Sequence, residues 1–326
     1  MRPTGRRSPA IDRPVDPARV ARFRADLARI GPEAGRLGLA VSGGPDSLAM
    51  LLLAHAAVPG ELEAATVDHG LRPESADEAA MVARLCGELG VPHATLRVAV
   101  AGGNLQDEAR KARYAALEGW ARRRGLAAVA TAHHADDQAE TLLMRLNRAS
   151  GVAGLAGVRT RTHVPGCDLV LLRPLLGWRR AELQAVLDAV GVVAAQDPSN
   201  ADERFDRVRM RRALADTDWL DIAALAQSAA HLADADDALQ WAADREWDAQ
   251  VEERAGGYLY RPQAPRAIRL RILARAVALL GGAARGAALA QLDDALTRGS
   301  AANCGGVAGR GTAEGWLLEP EPPRRS

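Results

Sequence analysis

The stretch Leu37–Leu51, LGLAVSGGPDSLAML, leaves the chain few folds to choose from. An apolar run ends at Ser42-Gly43-Gly44-Pro45-Asp46-Ser47, and an apolar, helix-like pattern begins at once. A strand, a glycine turn and a helix in that order bring several backbone N–H groups and the positive end of the helix to one point, which suits an anion. Gly43 and Gly44 allow positive φ and a close backbone approach, and Ser42 and Ser47 add hydroxyls. Asp46 would repel a bare phosphate, so its presence implies Mg2+ between carboxylate and phosphate oxygens. The Gly-Lys-Ser/Thr ending of a Walker loop is absent. The competing reading is a plain turn with Asp46 and Ser47 as helix caps. The strand before and the helix after make the phosphate-binding reading stronger than a bare pattern match.

The alternation continues downstream. Apolar runs at 37–41, 62–67, 93–98 and 126–131 predict strands. Helical patterns follow them, to about His55 and over about 74–89, 105–123 and 137–148. This is the signature of an α/β fold, a doubly wound parallel sheet covered on both faces. Ligands bind such sheets at the carboxyl ends of the strands, and the unusual polar stretches SGGPDS, DHGLR and AHHADDQAET follow the strands directly. The glycine-rich SGVAGLAGV reads as a mobile loop, 169–172 as an edge strand and 178–190 as a helix. From about Thr217 the pattern is helical and Ala-rich, acidic to Glu253 and Arg-rich from Arg254 to Arg285. The expected division is a disordered lead-in (1–20), a catalytic domain (21–212), a second, smaller, mainly helical domain (213–318) and a tail (319–326).

A chain of 326 residues favours two domains. No stretch approaches the roughly 18 apolar residues of a membrane span, and MRPTGRRSPAIDRPVDP lacks the apolar segment of a secretion signal. Cys86, Cys167 and Cys304 are far apart, which argues against a disulfide framework or a CxxC site and suits a reducing cytoplasm. Lys111 is the only lysine, so permanently charged guanidinium forks are the available cations.

Three further stretches carry chemistry. Asp68 and His69 end the second strand where an adenine or ribose would lie beside the first loop; the competing roles are turn former and packed histidine. In NLQDEARKARYAAL, Arg110 shares a helix face with Arg113 and Tyr114, either for phosphate contact or as a solvated face. In TAHHADDQAET, His133, His134, Asp136, Asp137 and Glu140 crowd one strand end and the helix after it. Asp137 and Glu140, three apart, can point at one cation. Caps against the helix dipole account for one acid, not for the cluster. The pattern is not H-E-x-x-H and has no supporting cysteine for zinc.

Taken together and in order, SGGPDS, DHGLR, NLQDEARKARYAAL, TAHHADDQAETLLMRLNRASGVAGLAGV, RPLL and DPSN resemble the motif set of the tRNA(Ile)-lysidine synthetase family, within the PP-loop ATP pyrophosphatase superfamily. The resemblance spans about 37–211. It implies that ATP activates the wobble cytidine of a CAU-anticodon tRNA(Ile), that pyrophosphate leaves, and that free L-lysine displaces AMP. On that basis Ser42, Gly43, Gly44, Pro45, Asp46 and Ser47 would grip the β- and γ-phosphates, with Asp68, His69 and Arg110 completing the nucleotide site. Asp46 and Asp137 would hold Mg2+, Arg113 or Arg110 would act on the α-phosphate, and Asp136 and Glu140 would receive the lysine ammonium. Arg207, Arg209, Arg211 and Arg212, with arginines of the helical domain, would meet the RNA backbone. Val208 stands where the family usually carries Asn, which puts that contact in doubt. Lys111 stands where an acidic or neutral residue is common. The rivals are a PP-loop tRNA thiolase making 2-thiocytidine, for which paired cysteines are missing, and a non-catalytic tRNA-binding homologue. A glutamine-dependent amidotransferase lacks room for its glutaminase. The oligomeric state, a homodimer included, is left open.

Overall fold

The computed structural model describes residues 13–32, 35–70, 74–99, 105–195, 206–284 and 286–321. The chain divides into two compact units, one running to Met144 and again over Gly157–Ala229, the other made of Arg145–Ala156 and the chain from Ala230. The boundary expected after residue 212 therefore does not coincide with the observed partition.

The first unit opens with α1 (Pro17–Ile30), whose start Asp16 caps through the Ala18 N–H at 2.9 Å, with Pro17 at the first helical position. Residues 17–20, expected in the lead-in, are thus already helical. There follow β1 (Arg36–Ala40), α2 (Pro45–Ala57), β2 (Leu62–Asp68), α3 (Glu74–Glu88), β3 (His93–Arg97), α4 (Leu105–Arg124), β4 (Leu126–Ala130) and α5 (Ala135–Leu146). After α6 (Val152–Leu155), which belongs to the other unit, come β5 (Arg161–His163), β6 (Val170–Leu172), α7 (Arg180–Val190) and α8 (Asp206–Ala215). The stretch read as a mobile glycine-rich loop thus contains α6.

The strands order as β3-β2-β1-β4-β6-β5, all parallel except β5. The strand expected at the edge is interior, because the short β5 pairs along its free side. β5 carries almost no apolar signal and was not foreseen. Strand order reverses between β1 and β4, the switch point at which doubly wound sheets open a crevice. Register aligns the strand ends there, with Leu39 opposite Ala130 and Ala130 opposite Leu172.

α2 is buried along its whole length from Ser47 to Ala54. That is why its pattern is apolar all round rather than amphipathic. Each buried leucine contributes about 1.5–3 kcal/mol, so α2 anchors the loop that precedes it. Gly38 on β1 lets Trp120 of α4 lie on the sheet; a Cβ there would sit 2.8 Å from the ring.

In the second unit, α9 (Ile222–Gln250) continues from the first unit and leads to β7 (Val251–Arg254), β8 (Gly257–Tyr260), α10 (Arg266–Leu279), α11 (Ala287–Thr297), β9 (Ala302–Cys304), β10 (Val307–Thr312) and β11 (Gly315–Pro320). The five strands form an antiparallel sheet, β7-β8-β11-β10-β9. Its core joins Tyr260, Trp316 and Leu318 to Ile272, Leu273 and Leu292 of the helices. To the helices expected here the structure thus adds a five-stranded sheet. The glycine-rich stretch GGVAGRGT supplies β10, and Glu319 and Pro320, assigned to the tail, complete β11. The arginines of α10 are occupied within the unit: Arg266 and Arg269 pair with buried Asp293 at 3.2 and 2.8 Å, Arg271 with Asp236, and Arg275 with Asp244 at 3.3 Å. They are not the free RNA-contacting cations that the sequence suggested.

Candidate active site

The loop after β1 is held by its own serines. The Ser42 N–H donates to Ser47 Oγ at 3.1 Å, the two hydroxyls lie 3.2 Å apart, and Ser47 Oγ donates to the Gly44 carbonyl at 2.9 Å. Gly43 takes φ +87°, a region that side chains avoid. Gly44 does not need that freedom: at φ −72°, ψ 161° it is the extended N-cap of α2. Its lack of a side chain keeps the mouth of the loop open, since only Ser42 Oγ, at 3.6 Å, lies near where a Cβ would be. A second tether comes from the Ala195 N–H, which donates to the Gly43 carbonyl at 3.1 Å.

Across the switch point, the turn after β4 delivers His134, almost wholly buried, to three carboxylates. Its Nε2 lies 3.4 Å from Asp46 Oδ2 and 3.6 Å from Asp137 Oδ2, and its Nδ1 lies 3.6 Å from Asp136 Oδ2. Burial opposes a charge on this ring. The contacts with Asp136 and Asp46, reinforced by the charge of Asp137, outweigh it and raise the pKa to about 9, so His134 is an imidazolium at neutral pH. Its neighbour His133 goes the other way: burial, with help from Arg173, Arg207 and Arg110 against Asp137, pushes it down to about 4. Its Nδ1 lies 3.0 Å from Thr131 Oγ1. Asp137 also accepts the His134 backbone N–H at 3.1 Å. Burial raises its pKa, but the surrounding cations, led by His134, hold it below the usual carboxylate range.

Asp46 and Asp137, the two residues that the family resemblance assigns to Mg2+, therefore both face His134 Nε2 beside the glycine loop. Asp46 Oδ1 is buried without a partner in the protein. Two hard carboxylates, one with an unused oxygen, fit Mg2+, which takes one or two carboxylates and fills its shell with phosphate oxygens and water. Among the described residues no group of three or more His, Cys, Asp or Glu forms a cage for an ion.

The other two acids of the cluster are differently employed. Asp136 accepts the Arg180 N–H at 2.8 Å and the Arg179 side chain at 3.3 and 3.4 Å. Glu140, 1 % exposed, gives one oxygen to Arg207 Nε at 3.1 Å and the other to Arg211 Nε at 2.8 Å. Every oxygen of the two carboxylates already accepts from an arginine, so the ammonium-binding role expected of them would be shared with these pairs. The same contacts correct the arginine reading. Arg207 and Arg211, four apart, turn inward and seat α8 on α5, and Val208 is buried on the same helix. A valine in place of the family's Asn is thus accommodated as packing. Arg209, paired with Asp206, and Arg212 point outward. DPSN lies outside the described residues.

Asp68 accepts the Gly70 N–H at 2.9 Å and the Ser75 hydroxyl at 2.7 Å, and these bonds lower its pKa. This is the turn-forming role. Burial, and then Arg113, pushes the His69 pKa below its ordinary value against Asp68, and both its ring nitrogens are without partners in the protein. Arg110 lies over the Tyr114 ring at 5.0 Å. Sequence reasoning missed the central place of His134, hidden in a doublet of identical residues, and the Arg179 and Arg180 clamp, which the chain supplies more than forty residues later.

Over residues 17–217 the chain matches a family described as a PP-loop domain. It is 51% identical to a tRNA(Ile)-lysidine synthase of Novosphingobium aromaticivorans, across 94% of this chain and 95% of that protein. It is 40% identical to a tRNA(Ile)-lysidine synthase of Zymomonas mobilis, across 90% and 91%. Among solved structures, a U34-tRNA thiolase from Methanococcus maripaludis with its [4Fe-4S] cluster superposes with a TM-score of 0.55 at 15% identity, covering 66% of this chain and 79% of that one. At that identity the likeness concerns the fold alone.

Proposed function

Because the chain belongs to the PP-loop family and, within it, to the tRNA(Ile)-lysidine synthases, we propose that it uses ATP to join L-lysine to C2 of the wobble cytidine of a CAU-anticodon tRNA(Ile). The C2 oxygen of the base attacks the α-phosphate, forming a P–O bond as the α–β bridge breaks and pyrophosphate leaves. The lysine ε-amine then attacks C2 and loses a proton, and the C–O bond breaks to release AMP. The observation that carries the reading is the convergence of Asp46, Asp137 and His134 on the glycine loop at the sheet's switch point.

The loop N–H groups and the Ser42 hydroxyl hold the β- and γ-phosphates, with Ser47 keeping the loop in shape. Asp46 and Asp137 would hold Mg2+, which supplies neutralisation of the charge that pyrophosphate carries away. His134 keeps these two carboxylates together. Arg110 and Arg113, on one face of α4, serve the α-phosphate. Arg209 and Arg212, on the outer face of α8, meet the tRNA backbone. The sulfur-transfer alternative needs reactive thiolates. Cys86 and Cys304 are buried instead; burial pushes the Cys86 thiol up to about 12 and raises Cys304 as well.

The test is incubation with ATP, CAU-anticodon tRNA(Ile) and labelled lysine. Label enters the tRNA with one AMP and one pyrophosphate released per lysine. Folded protein that binds the tRNA yet transfers no label, beside an active control enzyme, would refute the reading.

A further inference from the structure

Among the described residues, the buried side-chain polar atoms without a hydrogen-bond partner in the protein belong to Asp46, His69, His134 and Arg173. Each of these residues lies just beyond the carboxyl end of a parallel strand: β1, β2, β4 and β6 in turn. The first three fall in stretches already read as the site. Arg173 has been given no part in it, yet it leaves the sheet beside them. The Leu172 carbonyl accepts the Thr131 N–H at 2.9 Å, and Thr131 in turn touches His133.

The side chain is 5 % exposed. Its Nη1 donates to the Arg159 carbonyl at 2.7 Å and to Thr162 Oγ1 at 2.9 Å, while its Nε finds no acceptor. No carboxylate among the described residues pairs with it. Its charged neighbourhood is cationic: burial pushes its pKa below the ordinary arginine value, Tyr114 opposes that, and Arg110 adds to it. A buried cation without a counter-charge is costly to a fold. An aliphatic side chain would fill a strand end at less cost, so the fold alone gives no reason for an arginine here.

Tyr114 connects it to the chemistry. It makes a side-chain contact with Arg173 and carries the Arg110 guanidinium over its ring at 5.0 Å. Resting on the assignment of Arg110 to the α-phosphate, we propose that Arg173 is a positioning residue for the adenylation step. Anchored on Arg159 and Thr162, it fixes Tyr114, and through that ring it aims Arg110. A fixed cation needs no reorganisation when charge develops, and two anchors on neighbouring backbone supply the fixing.

The experiment is single-turnover pyrophosphate release from ATP and CAU-anticodon tRNA(Ile). It compares wild type, Arg173→Met, Arg173→Lys, Arg110→Ala and the Arg110→Ala/Arg173→Met double variant, with ATP affinity and thermal midpoint measured on each. Arg173→Met should slow the step about tenfold to a hundredfold, the scale of a misaimed catalytic group, with ATP affinity changed by less than about threefold. Arg173→Lys should recover part of the rate. In the Arg110→Ala background the Arg173 change should cost less than about twofold, since residues acting as a unit are not additive. Effects that multiply in the double variant, or a wild-type rate in Arg173→Met, overturn the proposal while leaving the proposed reaction standing. Wild type that releases no pyrophosphate overturns both. If Arg173→Met does not fold, Thr162→Val removes one anchor instead, and the same dependence on Arg110 decides.

Discussion

The two ends of the parallel sheet treat buried charge in opposite ways. At the amino end, Glu63 on β2 is almost wholly buried, yet its carboxylate receives Arg36 at 2.6 Å and Arg124 at 2.7 and 3.0 Å. A half-open groove of about 360 Å³ lies there, lined by Glu63, His93, Trp120 and Arg124 among others. At the carboxyl end, Asp46, His69, His134 and Arg173 hold buried polar atoms that the protein itself does not satisfy. A groove alone marks the first region, and unmet hydrogen-bonding capacity marks the second. Buried polar groups are normally satisfied within a fold, so the second mark is the one that points to a ligand. The amino end is built for stability, and the carboxyl end keeps donors and acceptors for a reaction at some cost to it.

That contrast can be broken at either end. The largest effect is expected from Asp137→Asn: pyrophosphate release should fall by about 10²–10³-fold, the scale of losing one preorganised electrostatic contact. The amide can still accept the His134 N–H, so circular dichroism and the thermal midpoint should stay near wild type. Glu63→Gln should do the reverse. Stability measured by urea unfolding should drop by about 2–3 kcal/mol, below the usual cost of breaking a buried pair because both guanidiniums are half in water. The rate per folded molecule should not change. A smaller effect is expected on α8. Arg209→Ala and Arg212→Ala should each weaken tRNA binding severalfold and reduce the salt slope by about 1. Arg207→Ala, which also unseats the helix from Glu140, should lower the thermal midpoint as well. Equal behaviour of Arg207 and Arg209 in filter binding and melting would remove the distinction between the two faces of α8.

What was legible in the sequence follows the range of the interactions. The loop from Ser42 to Ser47 is local, a strand, a turn and a helix in contiguous residues, and it formed as read. The pairing of Asp46 with Asp137 was legible only through the family resemblance; helical spacing alone paired Asp137 with Glu140, because the meeting of β1 and β4 at the switch point is not written in any local pattern. The fates of Asp136 and Glu140 were not, because their partners arrive from α7 and α8, far along the chain. Adjacent acids of identical chemistry thus diverge through contacts that no local pattern records. The edge position assigned to 169–172 failed for a related reason: an apolar run does not reveal whether a short polar strand pairs along its free side. The second sheet was missed because its strands are only three to six residues long and β10 is broken up by two glycines. In β10, Val307–Thr312, Gly309 sits where a Cβ would meet Leu292 at 2.9 Å, so a close packing contact took on the appearance of a turn.

The most direct test of this account is Asp46→Asn, with thermal midpoint and pyrophosphate release measured on one preparation. Asp46 shares the His134 imidazolium with Asp136 and Asp137 and carries a buried oxygen that nothing in the protein satisfies. Losing its pair with His134 is offset by relief of repulsion among the three carboxylates, so the midpoint should stay near wild type while pyrophosphate release falls by about 10²-fold or more. A lowered midpoint with release intact would mean that Asp46 serves the fold, and that the carboxyl end of the sheet is not the reacting centre.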